Sequence, residues 1–582
     1  MSKSLIISQA IDKICKDKNK IYLDFNCIFN SKYLNSIDEK IFEGYGNTNE
    51  LIKSDSVIVG KIYNQIIQEL CKILNKNHSE KFSVRQWEVL IGTWLFSYVK
   101  TFYFRAKSLD TCIRKENVET VKISEFSNYD FSTAETGGIF ECMWNNEWDL
   151  MFKSRIIKNL EIKNVNLEVI NINQTFKSKY KFFEAFKKNK KKYYASKILD
   201  LFNIINFKQK IVIDNTYLGL KNEALLQVFN KQFPRILAPK KLNYPKKNLQ
   251  LRKELSSLLK ASNSIFEKII KKFIFDDIPL VHLEGYQDLK KTVQKNNWPN
   301  NPRLIFTSNS FYFDEQFKYY VAKSIPKAKY IVGQHGNGYG EYITHDYLPE
   351  YRTCDYFLAW GKPKNKKDIS TFNFILANKK INYNFKNKKI LMVNRTLGYP
   401  VETFEKIQSF KKHYVDKISF LKNLNKSLQT KIIYRLHHTH NFRTPNEEGE
   451  IRSIFPSMEV DDGKSDLYRL INKSNLVVFT YYSTGFLELI SSDVPSLCLQ
   501  ENILNLIKDE YKNLFYQMID AKILFLNFKD LEIFLEKNYI EIHNWWMSDR
   551  IRILRNQISS LLSKKPKGSA LSEVNKILNN LK

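Results

Sequence analysis

From residue 278 onward the chain repeats one pattern: a short apolar run stops at glycine or a polar residue, and in several cases a helical segment follows. LVHLEG (280–285), RLIFTSN (303–309), YIVGQHG (330–336) and YFLAWG (356–361) form one series. KILMVNR (389–395), KIIYRLH (431–437), NLVVFT (475–480) and PSLCL (495–499) form a second, separated by helical patterns over 402–424, 466–473, 484–491 and 503–519. Short apolar strands alternating with helices predict parallel sheets joined by crossover helices, so the expected fold class is α/β with two such lobes.

The polar stretch 362–373 is the expected linker between them. The reading divides the chain into an N-terminal α/β domain (1–365), a C-terminal nucleotide-binding Rossmann-like domain (366–543) and a helical tail (544–582). The first domain carries a Lys-rich, mostly helical insertion at about 140–275. Its Lys run at 186–197 reads as a solvated face, with contact to an anionic membrane or acceptor as the lesser reading. Earlier still, Ser83 and Gln86 form a capping-box pattern, which predicts a long helix with Trp87, Leu90, Ile91, Trp94, Leu95 and Tyr98 on its apolar face.

Composition narrows the function classes. With 582 residues, of which 43% are hydrophobic, the chain has enough apolar content for several cores. The net charge of +31 could serve nucleic acid, but no finger spacing, RNP-type strand or basic heptad helix accompanies it. Abundant Lys, Asn and Ile read instead as compositional bias. Seven scattered cysteines without a CxxC pair predict reduced thiols. No signal peptide or membrane-spanning run is visible, and the apolar stretch 89–99 is short enough for a buried helix. A cytoplasmic protein is expected, in peripheral contact with the inner membrane face at most.

Candidate chemistry gathers at strand ends. His335 follows the run 330–333 inside a turn carrying Gly336, Gly338 and Gly340, where it could act as general base for a hydroxyl. A structural turn histidine is the competing reading. Arg435, His437 and His438 end a second strand and could meet phosphate. A metal site is disfavoured there, because a strand end would put His437 and His438 on opposite faces and no Cys or carboxylate shares the cluster. Ser483, Thr484 and Gly485 join a strand to a helix, a site type that binds anions, although plain N-capping gives the same pattern. Glu488, one turn on, could accept from a sugar hydroxyl, and Arg395 could face a diphosphate. Glu88, Glu135 and Asp314 are weaker alternative bases. No GxGxxG is present, which argues against dinucleotide chemistry. No Asp-x-Asp is present either, so leaving-group charge would fall to helix termini, Arg, His and hydroxyls.

The His335–Gly336 turn, the Arg435-x-His437 strand end and the Ser483–Thr484 turn before a helix carrying Glu488 resemble GT-B glycosyltransferases, and QHGNGYGEY (334–342), DYFLAWG (355–361), YYSTGFLEL (481–489) and WEVLIGTWL (87–95) carry the likeness to one family among them. The group in question contains the CDP-glycerol glycerophosphotransferases and the Kdo (CMP-sugar) transferases, and the likeness is strongest to the LIC12162-type surface-carbohydrate transferases. The resemblance implies a GT-B-like fold: two Rossmann-type domains facing a central cleft, with a helical N-terminal elaboration. It implies a metal-independent glycosyltransferase without cofactor, with His335 as base and His437, Ser483, Thr484 and Glu488 on the donor. The implied partners are a nucleotide-sugar donor, CMP-linked acidic sugar favoured, and a glycan or lipid-linked glycan acceptor, with no nucleic acid. His438 stands where such enzymes often carry Pro. A CDP-polyol phosphotransferase of the same fold and a non-catalytic carbohydrate-binding scaffold are the alternatives.

Overall fold

The computed structural model describes residues 3–28, 40–42, 48–172, 175–202, 210–379, 381, 383–386, 388–395, 410–440 and 447–581. Three sheets, each parallel throughout its strand pairs, organise them.

The N-terminal sheet contains β1 (Ser4–Ile6), β2 (Lys20–Tyr22), β3 (Thr120–Ser124) and β4 (Asn166–Ile170), in the order β2-β1-β3-β4. The helix Asn146–Asn159 lies against β3, and packed on it in turn is the helix Val84–Lys115. Ser83 caps this helix in a reciprocal capping box with Gln86, as the sequence predicts, and Trp87, Leu90, Ile91, Trp94, Leu95 and Tyr98 are all fully buried. Burying each such side chain is worth about 1.5–3 kcal/mol, which fixes the helix as the central post of the N-terminal half.

The middle sheet contains β5 (Ile211–Asp214), β6 (Leu304–Thr307), β7 (Lys329–Gly333), β8 (Tyr356–Ala359) and β9 (Asp368–Ser370), in sequential order. The third contains β10 (Lys389–Val393), β11 (Ile432–Arg435), β12 (Glu459–Asp461), β13 (Ser474–Phe479), β14 (Ser496–Leu499) and β15 (Leu524–Phe525). Its order is β12-β11-β10-β13-β14-β15, the doubly wound Rossmann order, which reverses direction between β10 and β13. The middle and third sheets meet across a cleft, which gives the molecule its GT-B-like plan.

The N-terminal part mixes its helices with a four-stranded sheet. Several expectations need correction. The Lys-rich region supplies two strands, β4 and β5. The run 280–285 is no strand: Pro279 leads into a 3-10 turn over Leu280–His282, tied to Thr133 and Ala134 by backbone hydrogen bonds of 2.8 and 3.1 Å. The linker stretch contains β9, so the middle sheet runs past residue 365. The pattern 503–519 breaks into Ile503–Leu506 and Asp509–Asp520. Part of the expected helix 402–424 lies outside the described residues; what is described spans Phe410–Asn423.

The tail returns to the middle sheet. After the helix Asp549–Leu562, Lys564 N donates to Trp360 O at 2.7 Å and Asn373 Nδ2 to Ser563 Oγ at 3.2 Å. The last helix, Ala570–Asn580, buries Ala570, Val574 and Leu578 with the middle-sheet core. The final segment therefore ties the two lobes together.

All seven cysteines are buried and unpaired with one another. Among the described residues no helix is long and apolar enough to cross a membrane.

Candidate active site

His335 stands just past the carboxyl end of β7, half-buried among aromatic rings. Tyr217 lies parallel to it at 6.5 Å, while Tyr312 and Tyr339 present edges at 5.1 and 5.2 Å. Its Nε2 is 3.2 Å from the Tyr312 hydroxyl and its Nδ1 is 3.0 Å from that of Tyr339. The Tyr339 hydroxyl donates to Glu350 Oε1 at 2.6 Å. Desolvation by these rings lowers the imidazole pKa to about 4, so the resting ring is neutral and able to accept a proton. Burial also raises the Glu350 carboxyl, opposed by the Tyr339 and Tyr312 hydroxyls and the charge of Lys100.

The turn after His335 needs its glycines for stated reasons. Gly338 and Gly340 have φ of +91° and +88°, where a Cβ is strained. A Cβ on Gly338 would also fall 2.3 Å from the His345 ring. The Gly338 N–H donates to the Glu341 carboxylate at 2.6 Å, closing the turn. Gly336 comes close to the other lobe: a Cβ there would be 3.4 Å from Thr484 Oγ1.

Contact between the lobes is direct. Asn337 N donates to Thr484 Oγ1 at 3.2 Å, the Thr484 hydroxyl donates to Asn337 Oδ1 at 3.2 Å, and Asn337 Nδ2 donates to Tyr482 O at 3.2 Å. Lys508 N donates to Glu341 O at 2.9 Å nearby. The histidine turn of the first lobe is thus docked on the hydroxyl-rich turn of the second.

In the third sheet, Arg395 follows β10 and Thr480 follows β13, on either side of the point where strand order reverses. Arg395 N donates to Thr480 Oγ1 at 2.9 Å. In open α/β sheets this crevice, outside the carboxyl ends of the strands, is where ligands bind. Ser483 caps the helix Thr484–Ser491, its Oγ accepting from Phe486 N at 3.3 Å. Gly485 sits beside it, where a Cβ would lie 3.1 Å from the Phe479 ring.

Other expected donor-side residues sit differently. Arg435 directs its guanidinium to Asp461 at 2.7 Å and to the carbonyls of Gly463 and Ser465 at 3.1 and 2.9 Å. It clamps the loop after β12, and a phosphate would have to compete with a carboxylate for it. Glu488 is buried, and its Oε2 accepts the Tyr468 hydroxyl, so its contact is within the protein. His437 and His438 are not on opposite faces: β11 ends at Arg435, both belong to the following turn, and their rings lie 4.3 Å apart. His437 Nδ1 accepts from Thr439 N at 3.2 Å, which places the proton of the neutral ring on Nε2, a donor suited to an anion.

The weaker candidate bases are engaged. Glu88 pairs with Arg352 at 2.7 Å and accepts from Tyr63 at 3.0 Å. Glu135 accepts from Phe182 N at 2.6 Å and from the Tyr244 hydroxyl, and burial raises it to about 7. Asp314 caps the helix Glu315–Ser324, and burial raises it to about 8. Among the described residues no group of three or more His, Cys, Asp or Glu side chains is placed to hold a metal ion.

Sequence reasoning missed Tyr217, Tyr312, Tyr339 and Glu350. Tyr217 is notable because it has φ +64° and is 40% exposed beside His335. A bulky residue in that region is strained, and such strain persists only where neighbours enforce it. Here the Glu223 carboxylate accepts both Thr216 N and Thr216 Oγ1, at 2.6 and 2.9 Å.

A family model described as LIC12162 family transferase matches residues 3–568. No curated protein matches the chain. Among solved structures, the S. aureus MnaA–UDP complex is 13% identical, covering 64% of this chain and 98% of its own, at a TM-score of 0.35. The UDP-GlcNAc 2-epimerase from Neisseria meningitidis is 12% identical, with 64% and 99% coverage and a TM-score of 0.33. The wall teichoic acid polymerase TagF is 10% identical, with 69% and 95% coverage and a TM-score of 0.32.

Proposed function

This chain belongs to the LIC12162 family of transferases, and we propose that it is a glycosyltransferase working in the cleft between its middle and third sheets. The observation that supports the reading is the docking of Asn337 on Thr484, which joins the turn that follows His335 to the hydroxyl-rich turn that follows β13. A nucleotide-activated sugar would lie in that crevice. Arg395, the Nε2 proton of His437 and the start of the helix Thr484–Ser491 would meet its phosphate. The acceptor hydroxyl would approach from the middle-sheet side over Tyr217 and Tyr312. His335 would take its proton as the bond to the sugar forms, and the departing nucleotide phosphate would keep the electron pair of the broken bond.

The donor to try first is a CMP-linked acidic sugar, on the likeness of the Ser483–Glu488 turn alone, and the acceptor class is a bacterial surface glycan, free or lipid-linked. The first domain would be the acceptor side and residues 366–543 the donor side.

The test is transfer by the full chain from CMP-, CDP- and UDP-sugars, with and without His335→Ala. Loss of roughly 10²–10⁴-fold in rate in the variant is expected of a general base. An unchanged rate would remove His335 from the chemistry, and phosphoryl transfer with CMP released from a CDP-polyol would assign the chain to polyol-phosphate transfer instead.

A further inference from the structure

The hydrogen bonds around His335 fix more than its position. The Tyr339 hydroxyl has one proton, and its 2.6 Å contact commits that proton to Glu350 Oε1. The same hydroxyl oxygen lies 3.0 Å from His335 Nδ1. With its proton pointed at the carboxylate, the oxygen can only accept from Nδ1, so Nδ1 must carry the ring proton. A neutral imidazole has one N–H, so Nε2 keeps its lone pair. That nitrogen is the one 3.2 Å from the Tyr312 hydroxyl, and both His335 and Tyr312 are half-buried.

We propose that Glu350, acting through Tyr339, is a positioning residue that sets the tautomer of His335, leaving Nε2 as the nitrogen that receives the acceptor proton. The proposal rests on the reading of His335 as the base and adds to it the device that makes the ring a base at the correct atom. Glu350 is 3% exposed and Tyr339 7% exposed, so water does not compete for either contact. Glu350 belongs to the helix Pro349–Thr353, with Pro349 at its first position, which anchors it independently of the glycine turn.

The step balances. The acceptor O–H gives its proton to Nε2, its oxygen lone pair forms the bond to the sugar carbon, and the nucleotide phosphate leaves with the electrons of the broken bond. The imidazolium then carries protons on both nitrogens, and its Nδ1–H points through the Tyr339 oxygen toward the Glu350 carboxylate. When a substrate hydroxyl takes the place of Tyr312 on Nε2, the Tyr312 proton can turn to Glu350, against which it already lies.

The tautomer can be read without any substrate. Full-length protein labelled with ¹⁵N in the histidine rings is examined by two-bond ¹H–¹⁵N correlation at neutral pH, with the His335 signals assigned by their loss in His335→Gln. The expected wild-type pattern is the Nδ1–H tautomer. Glu350→Ala frees the Tyr339 proton to donate to Nδ1 and should switch the ring to Nε2–H. Glu350→Gln offers a carbonyl oxygen in place of the carboxylate and should restore Nδ1–H. Tyr339→Phe removes the intermediary and should give a mixed population, which serves as the test if Glu350→Ala does not fold. An Nε2–H ring in the wild type, or an Nδ1–H ring unchanged in both Glu350→Ala and Tyr339→Phe, overturns the proposal. These outcomes are separable from the fate of the base reading: transfer that survives His335→Ala sinks that reading whatever the tautomer, whereas an inactive His335→Ala with an unaltered tautomer in the Glu350 and Tyr339 variants sinks only the relay.

Discussion

Asn337 and Thr484 exchange hydrogen bonds across the cleft, each 3.2 Å long, although 147 residues separate them in the chain. This pair joins the glycine turn behind His335 to the cap of the helix Thr484–Ser491. It fixes the turn that follows His335 against the turn that follows β13.

Removing the pair should therefore hurt rate more than stability. Thr484→Val keeps the shape and deletes the hydroxyl, at a stability cost of about 0.5–1.5 kcal/mol for each of the two hydrogen bonds lost. A misplacement of the reacting groups by about 1 Å can lower the rate roughly 10²-fold. Thermal unfolding and kcat, measured on the same preparation, should show a small loss in the first and a large one in the second.

The rate should resist acid further than a histidine-dependent enzyme ordinarily does. Aromatic burial lowers His335 to about 4, so the ring stays neutral through the whole range above that value. A profile of kcat/KM against pH should fall on an acid limb near pH 4, whereas an unperturbed histidine would place the limb near its usual 6.5. Controls must confirm that the fold persists at the acid end, because His78 and His282 are also held neutral by burial with pKa values of about 4.

Tyr217 trades strain for position. Its φ of +64° is costly for a tyrosine, and left-handed backbone costs roughly 1–2 kcal/mol relative to the right-handed form. Tyr217→Gly should leave the unfolding midpoint at or near the wild-type value while raising the acceptor KM. Tyr217→Val, β-branched at the same dihedral, should lower the midpoint. Equal KM values in wild type and glycine variant would remove Tyr217 from the acceptor site.

Asp314 should make the protein sensitive to base. Burial raises its carboxyl to about 8. A folded pKa raised above the unfolded one contributes stability that is present below the unfolded value, near 3.8, and is lost as pH rises through about 8. Asp314→Asn keeps an oxygen to cap Gln316 and Phe317 but cannot ionise. Urea midpoints from pH 6 to pH 9 should fall for the wild type and stay flatter for the variant.

The second lobe was the most legible part of the sequence. Its long central strands, such as the one containing Val477 and Val478, are continuous apolar runs, as strands buried on both faces must be. The edge strands β9 and β12 read DIS and EVD, too short and polar to give a periodic signal, and β15 has two residues. The run 280–285 looked like a strand because Leu280, Val281 and Leu283 are apolar. Val281 and Leu283 are buried in the main core, and Pro279 leads the backbone into a 3-10 turn.

Site chemistry was legible where it is local. Ser483 as a cap and the glycines after His335 follow from neighbours within a few residues. The Arg435–Asp461 pair is not local, since Asp461 arrives only through the pairing of β11 with β12. The ring around His335 could not be read at all, since Tyr217, Tyr312 and Glu350 come from separate elements that the middle sheet brings together.

The most direct test of the cleft is thermal unfolding of the full chain with CMP, CDP, UDP, GDP and dTDP, in wild type and Arg395→Ala. A ligand at about 100 times its Kd adds about 2.7 kcal/mol to the folded state. One nucleotide should raise the wild-type midpoint by several degrees over its own unliganded value and do so much less in Arg395→Ala. If no nucleotide shifts the wild type, or if the shift is the same in both proteins, the strand-switch crevice is not the donor site and the account fails.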